Sequence, residues 1–180
     1  MVQNNESFIR PEDLLKEIGL RAEQTLVHLG CGAGFYLVPS AKIVGKNGKI
    51  IGVDILPDML AEAEGRAKRE GVDKTIQTIR GNLENEKGST LEDAVADWVL
   101  VANVLHQSDP EKIINEAKRI VKPTGSIAII EWDTIATPFG PPVMQRIVKD
   151  RVITICETAG LKLVKQFSPS PYHYGIIATL

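Results

Sequence analysis

The chain has 180 residues, a size typical of one domain and sufficient to bury a core without disulfides or a structural metal. Hydrophobic residues make up 43% of it, charged residues make up 24%, and the net charge is −2. These values argue against a disordered chain and against the basic surface of a nucleic-acid-binding protein. No apolar run approaches the roughly 20 residues of a membrane helix, and the first residues lack a signal-peptide pattern. We therefore predict a cytoplasmic protein that binds neither nucleic acid nor a membrane.

Cysteine and histidine usage gives no pattern of a disulfide framework or a metal site. Cys31 and Cys156 are far apart, and no His or Cys has the spacing of metal ligands. We interpret Cys31 as a small residue between glycines and Cys156 as a core residue.

Strand-length apolar runs alternate with helical patterns along the chain. The first element is a short helix at Pro11–Ile18. It forms a cap within residues 1–24 of a single domain, residues 1–180, whose core is residues 25–180. Five strands are then predicted, and the nearly continuous apolarity of the last two indicates burial on both faces of a parallel sheet. The predicted strands are residues 25–29, 49–54, 75–80, 97–102 and 126–131.

Helices are predicted between these strands from their apolar stripes and terminal residues. One begins at Pro57 and ends near Gly71, and a second runs over residues 109–121 with Asp109 as its cap. Residues 122–126 are predicted to form a turn, and residues 145–159 a third helix.

Two strand-like runs complete the chain, at residues 161–167 and 173–180. Their connection is too short for a crossover helix, so they are expected to pair antiparallel. The predicted fold is therefore α/β, a doubly wound Rossmann-like sheet of seven strands, mostly parallel, with an antiparallel C-terminal hairpin.

Three glycines at alternate positions, Gly30, Gly32 and Gly34, follow the first strand. Such a loop turns sharply, and we expect it to bring bare backbone N–H groups close to a ligand. The second strand ends at Asp54, whose carboxylate is suited to both hydroxyls of a ribose. A dinucleotide-binding turn would carry its third glycine at the position of Phe35, so the spacing disfavours a dinucleotide.

With these motifs in order, the chain from about residue 11 to 180 resembles small-molecule class I methyltransferases that use S-adenosyl-L-methionine. Among these, it resembles particularly the group that includes the ubiquinone and menaquinone biosynthesis C-methyltransferases. It implies methyl transfer to a small-molecule acceptor by in-line displacement, with S-adenosylmethionine as cofactor. It also implies cofactor contacts from the glycine loop, from the acid and its neighbours after the second strand, from the residues after the third strand, and from the residue after the fourth. The predicted cofactor-binding residues are His28, Gly30, Cys31, Gly32, Gly34, Asp54, Ile55, Met59, Gly81, Asn82, Leu83 and Asn103.

Two of these positions depart from the family pattern. His28 replaces an acidic residue that helps to hold the methionine amino group, and a neutral imidazole can accept that hydrogen bond whereas an imidazolium would repel it. Our hypothesis is that cofactor affinity weakens at mildly acidic pH; the alternative is a space-filling histidine. Asn82 replaces an Asp, and its amide is suited to adenine, although a turn asparagine explains it as well.

Positioning alone lowers a methyl-transfer barrier by roughly 7–11 kcal/mol, so no catalytic triad is expected. If the acceptor must lose a proton, His106 is the first candidate for the base, followed by Glu131, Asp133 and His173. Trp132 is predicted to form a wall of the acceptor pocket.

Two other functions stay open at this point, a nicotinamide-dependent oxidoreductase and a non-catalytic module that binds S-adenosylmethionine. A homodimer is one predicted assembly, because the short chain has little material for a lid. The identity of the acceptor is not predicted.

Overall fold

The computed structural model describes residues 9–180. Helices and strands alternate through most of this range and end in two consecutive strands. The helices are α1 (Pro11–Ile18), α2 (Leu37–Val44), α3 (Pro57–Arg69), α4 (Pro110–Ile120) and α5 (Lys149–Thr158). The strands are β1 (Thr25–Leu29), β2 (Lys49–Asp54), β3 (Ile76–Arg80), β4 (Ala96–Ala102), β5 (Val121–Trp132), β6 (Lys162–Ser170) and β7 (His173–Thr179).

One seven-stranded sheet has the order β3-β2-β1-β4-β5-β7-β6. Strands β1 to β5 pair in parallel, whereas β7 lies antiparallel between β5 and β6. The predicted fold class and the antiparallel end of the chain are therefore confirmed. The chain order reverses between β1 and β4, and in such sheets ligands bind outside the carboxyl ends of the strands at this switch point.

Two hydrophobic clusters cover the two faces of the sheet. One cluster packs α1, α2 and α3 against one face, and the other packs α4 and α5 against the opposite face. Helix α4 shows how the sequence produces this packing. Asp109 caps it by accepting the Lys112 N–H at 3.2 Å, Pro110 occupies its first turn, and one apolar stripe is buried. The stripe consists of Ile113, Ile114, Ala117 and Ile120.

Two predicted boundaries are wrong. The helix predicted to begin at residue 145 begins at Lys149, because Arg146 is extended (ψ 140°) and its guanidinium bonds back to the preceding loop. The predicted turn at residues 122–126 lies inside β5, where residues 122–125 form a bulge opposite Asp97. The Asp97 carboxylate holds this bulge and β1 together, because it accepts from Lys122 Nζ and from the Thr25 N–H, each at 2.8 Å.

Cys31 and Cys156 are both buried and unpaired, in the two different clusters. Within residues 9–180, no group of three or more His, Cys, Asp or Glu side chains is placed to hold a metal ion. None of the helices in that range combines the length and apolar character needed to cross a bilayer.

Candidate cofactor and acceptor site

A cavity of about 710 Å³ opens at the carboxyl ends of the parallel strands. The loops after β1, β2, β3 and β4 form one part of it, and the ends of β5 and β7 form another. Its volume lies within the range of small-molecule sites. The residues predicted to bind the cofactor line it with one exception, Gly34; the lining also includes Ile9, Phe35, Tyr36, Gln107, Ser108, Trp132 and His173.

The glycine loop is held in a conformation that only glycine adopts without strain. Gly30 and Gly34 have φ of +73° and +80°. A Cβ on Gly30 would lie 2.7 Å from Val104 Cγ2, and one on Gly34 would lie 2.8 Å from Ala63 Cβ. Gly30 therefore lets the loop approach the end of β4, whereas Gly34 lets it pack against α3 and lies outside the cavity lining.

The expectation of bare amides in this loop is wrong for Gly30, Cys31, Gly32 and Gly34. The N–H groups of Gly30 and Cys31 both donate to Val53 O, at 2.8 and 3.0 Å, and the Gly34 N–H donates to Cys31 O. The Gly32 N–H donates to Asp54 Oδ2 at 2.8 Å. Three of these four amides thus tie the loop to the end of β2, so the glycines contribute close backbone approach to a ligand rather than hydrogen-bond donors.

Asp54 points at the glycine loop, as the ribose role requires. Besides the bond from Gly32, its Oδ1 accepts the Leu56 N–H at 3.0 Å. A carboxylate offers about four lone pairs, so both oxygens keep acceptor capacity for ribose hydroxyls. Ile55 and Met59 lie beside it in the lining, and Ile55 is 49% exposed, which leaves an apolar surface for a flat ring.

The loop after β3 brings Gly81, Asn82 and Leu83 into the lining. Asn82 Oδ1 accepts the Glu84 N–H at 3.0 Å, so the turn role proposed as the alternative is present. The same side chain borders the cavity, and its amide nitrogen and the second lone pair of Oδ1 are the groups suited to adenine. A Cβ on Gly81 would lie 2.3 Å from Gly88 O, which explains the glycine at this position.

His28 is 2% exposed and borders the cavity from the middle of the sheet. Its ring contacts the edge of Tyr36, with centroids 5.4 Å apart, and neither ring nitrogen has a hydrogen-bond partner among the described residues. Burial lowers the pKa of His28 to about 3. The imidazole is therefore neutral at mildly acidic pH, which removes the basis for the predicted weakening of cofactor binding there.

Asn103 follows β4 with φ of +54°, a conformation that asparagine tolerates better than most residues. Its N–H donates to Ile130 O at 2.9 Å, which fixes the residue at the end of the sheet. The side-chain Oδ1 is buried and has no partner within residues 9–180. Asn103 therefore presents an acceptor to a ligand in the cavity that it lines.

His106, the first candidate for the base, is not among the cavity-lining residues. Its Nδ1 lies 3.0 Å from Oε2 of Glu131, which is fully buried and also accepts the Leu105 N–H at 2.7 Å. Side chains alternate along β5, so Glu131 faces the α4 and α5 side while Trp132 faces the cavity. The geometry thus gives His106 and Glu131 a role in holding the loop after β4 and does not favour the catalytic role.

Trp132 and His173 are register partners at the ends of β5 and β7. Both line the cavity, and their ring centroids lie 4.1 Å apart. His173 is 4% exposed, its Nδ1 lies 2.8 Å from Ser170 Oγ, and its Nε2 has no partner in the described range. From the sequence, His173 was predicted only as a lesser candidate for the base, because its place beside Trp132 depends on the pairing of distant strands.

The loop between β5 and α5 packs on the Trp132 indole. Arg146 is 6% exposed and makes five hydrogen bonds within this loop. Its guanidinium also lies 5.1 Å from the centroid of the Trp132 ring. Trp132 in the pocket wall is therefore backed by a loop that Arg146 holds together. No sequence pattern indicated this role for Arg146.

A family model described as a methyltransferase domain matches residues 20–159. The chain belongs to this methyltransferase family. A solved S-adenosylmethionine-dependent methyltransferase from Aquifex aeolicus is 31% identical, has a TM-score of 0.86, and the match covers 94% of this chain and 89% of that one. An arsenite methyltransferase from Halobacterium salinarum is 34% identical over 59% of this chain and 26% of its own length. A demethylmenaquinone methyltransferase from Lactobacillus johnsonii is 27% identical over 68% of this chain and 50% of its own length. The chain thus spans between a quarter and a half of these two relatives.

The predicted resemblance to class I small-molecule methyltransferases is confirmed, and with it S-adenosylmethionine as the cofactor of the family. The comparisons give no support to a nicotinamide-dependent oxidoreductase. Independently of the comparisons, the residues that line the cavity of this methyltransferase domain fit the cofactor. Asp54 offers a carboxylate for the ribose, and His28 offers a buried, neutral acceptor that lacks a partner among the described residues.

Proposed function

We propose that this chain transfers a methyl group from S-adenosylmethionine to a neutral, ring-containing small molecule. The observation that carries the proposal is a single cavity with two differently built halves. The glycine loop, Asp54 and Asn82 form the cofactor half, and Phe35, Trp132 and His173 belong to the acceptor half.

Each half has a definite task. Asp54 would accept the ribose hydroxyls, Asn82 and Ile55 would hold the adenine, and His28 would accept from the methionine amino group. The bound cofactor supplies a methyl group on a sulfonium, whose departure as a thioether needs no acid. The remaining work of the protein is to align the acceptor and exclude water, and such positioning is worth roughly 7–11 kcal/mol.

The charges of the lining favour a neutral acceptor. Among the described residues, the lining contains the carboxylates Asp54 and Glu84 and no Lys or Arg. A phosphate or carboxylate group would thus meet no cationic side chain, and anion sites in proteins usually provide one. The acceptor half instead offers aromatic and uncharged polar groups.

Arsenite is the acceptor that the Halobacterium relative's name indicates, and the thiols of this chain do not suit it. Soft ions of this kind are bound by thiolates. The two cysteines lie in different clusters, and burial, together with the Asp54 charge, raises the pKa of Cys31 to about 12. A planar ring acceptor, as the name of the Lactobacillus relative suggests, agrees better with Trp132 and His173.

The location and assembly of the chain are part of the proposal. The net charge of −2 and its even distribution support a small-molecule acceptor rather than nucleic acid. A cytoplasmic location and a homodimer stay predictions.

The proposal is tested by calorimetry and by transfer of a labelled methyl group. We expect S-adenosylmethionine and S-adenosylhomocysteine to bind and NAD not to bind. We also expect tritium from the labelled cofactor to appear in 2-naphthol or in a related hydroxylated ring. Binding without transfer to any member of a hydroxyarene panel would support the non-catalytic module, and failure to bind the cofactor would refute both.

A further inference from the structure

His173 has the surroundings of a base rather than of a packing residue. Its side chain is almost fully buried, yet it borders the cavity through a ring of which only one nitrogen is bonded. Nδ1 pairs with Ser170 Oγ at 2.8 Å, while Nε2 has no hydrogen-bond partner within residues 9–180. A buried polar atom without a partner costs about 1–3 kcal/mol, so its retention beside a ligand cavity calls for a ligand group that pairs with it.

Ser170 is placed to select the tautomer of His173. Its Oγ accepts the Tyr172 N–H at 3.2 Å, and its contact with Nδ1 forms either with Nδ1–H as donor or with the hydroxyl as donor. General-base action requires the first of these two arrangements. With the proton on Nδ1, the lone pair of the imidazole is on Nε2. This is the arrangement in which a second residue orients a histidine base.

The electrostatic surroundings keep this imidazole unprotonated. Burial and the nearby Arg146 guanidinium lower the pKa of His173 to about 4. The other groups packed around the ring are the Trp132 indole and the Ser170 hydroxyl, which are uncharged. The imidazole is therefore neutral at neutral pH, and the lone pair of its unprotonated nitrogen is free to accept a hydrogen bond.

The chemistry of the acceptor follows from what a neutral base can do. A neutral amine attacks a methyl group without losing its proton first, and an ammonium group would favour a carboxylate partner. A ring hydroxyl, by contrast, is a weak nucleophile until a base removes its proton. The acceptor half also presents the flat indole of Trp132, which suits a planar ring.

Building on the proposed function, we propose that His173 is the catalytic base of this site and that the acceptor is an aromatic hydroxyl seated beside Trp132. The hydroxyl proton moves to Nε2 of His173, and the electron pair left on oxygen forms the bond to the methyl carbon. The pair of the broken sulfur–carbon bond stays on sulfur, and the imidazolium later releases its proton to water. Ser170 acts as a positioning residue through Nδ1.

The first test observes His173 without turnover. Nitrogen-15 spectra of histidine-labelled protein, assigned with His173→Gln, report which ring nitrogen carries the proton. In the complex with S-adenosylhomocysteine we expect an unprotonated Nε2 whose signal moves when 2-naphthol is added, and Ser170→Ala should shift the tautomer. A proton on Nε2 in the wild-type protein, or a signal that 2-naphthol leaves unmoved, overturns the inference.

The second test separates the base from the binding site. His173→Gln should lower methyl transfer to 2-naphthol at least about 100-fold, because general-base catalysis contributes about 10²–10⁴. Transfer to pentafluorophenol, which is already ionised at neutral pH, should fall far less. Lys68→Gln, on the exposed face of α3 and outside the cavity lining, is the control and should leave both rates nearly unchanged. Equal losses for the two acceptors refute the role of His173 as a base.

Calorimetry with S-adenosylhomocysteine distinguishes a failure of the proposed base from a failure of the proposed function. If the wild-type protein and His173→Gln bind it equally, but the substitution lowers methyl transfer to the two acceptors by the same factor, the proposed function stands and the base is rejected. If the wild-type protein does not bind it, the proposed function itself fails.

Discussion

The carboxylate of Asp54 accepts the backbone N–H of Gly32 at 2.8 Å, so the residue expected to hold the ribose also holds the glycine loop. Its other oxygen accepts from Leu56 at the start of the segment that leads into α3. One side chain therefore connects the loop after β1 with the loop after β2, and the cofactor site is organised before the cofactor binds.

Replacing Asp54 should weaken cofactor binding strongly. Asp54→Ala removes the acceptors for two ribose hydroxyls, each worth about 1.5–3 kcal/mol when the acceptor is charged. We expect the dissociation constant for S-adenosylmethionine to rise at least about 100-fold, measured by calorimetry. Asp58→Ala, which removes an exposed carboxylate four residues later, is the control and should bind normally. An unchanged constant for Asp54→Ala would contradict the ribose assignment.

Cofactor binding should not depend on the protonation of His28 in the mildly acidic range. The pKa of His28 is lowered to about 3, so its charge does not change between about pH 5.5 and 8. The contribution of His28, obtained by comparing wild-type protein with His28→Gln at each pH, should be constant over this range. A contribution that decreases towards pH 5.5 would show that His28 titrates there.

The free energy of unfolding should fall as the pH drops below about 6.5. His28 and His173 bind a proton more readily in the unfolded chain, because burial lowers both pKa values in the folded state. Stability is therefore fully present above the unfolded pKa and is lost on acidification, by about 1 kcal/mol per pH unit for each histidine. Urea denaturation between pH 7 and about pH 5 measures this slope. His28→Gln should reduce it, and an unaltered slope would argue against a buried neutral imidazole.

A methyl group on Gly30 should destabilise the protein more than one on Gly19. Both glycines have positive φ, of +73° and +86°, so alanine is strained at either position by about 1–2 kcal/mol. Only at Gly30 would the new Cβ meet another side chain, Val104 at 2.7 Å, whereas nothing lies within 4 Å at Gly19. The difference between Gly30→Ala and Gly19→Ala in chemical denaturation isolates the packing cost, expected to be about 1–3 kcal/mol. Equal effects would mean that the close contact with Val104 relaxes freely.

His106→Gln should affect stability rather than cofactor binding. The substitution replaces the ring nitrogen that lies 3.0 Å from the buried Glu131 carboxylate, and a bond to a buried charge is worth about 1.5–3 kcal/mol. We expect a lower free energy of unfolding and an unchanged dissociation constant for S-adenosylhomocysteine. A stable variant with impaired binding would place His106 closer to the ligand than its exclusion from the cavity lining indicates.

The order of strands and helices was predictable because it rests on local signals. Apolar runs, the Asp109 cap and Pro110 each act over a few residues, and α4 and the parallel strands follow from them. The cofactor half of the site was predictable for a similar reason. Gly30 follows β1, Asp54 ends β2 and Asn82 lies two residues after β3. Parallel strands place their carboxyl ends at one edge of the sheet.

The acceptor half was harder to predict from the sequence, because it depends on which strands pair and on the direction of their side chains. His106 and His173 both follow or begin a strand, yet only the alternation along β5 and its register with β7 place one in the cavity and the other behind the sheet. The glycine amides illustrate the same limit. Their acceptors, Val53 O and Asp54, belong to a different strand, which glycine spacing does not reveal.

The five bonds of Arg146 bear on how specificity changes in this fold. Four of its acceptors are main-chain carbonyls, those of Asp133, Ile135, Phe139 and Pro141, and every residue type supplies such a group. Side chains along the loop between β5 and α5 are therefore free to vary while the path of that loop over Trp132 is kept. A protein that retains Arg146 can thus change the side chains over its acceptor half during evolution without changing its cofactor half.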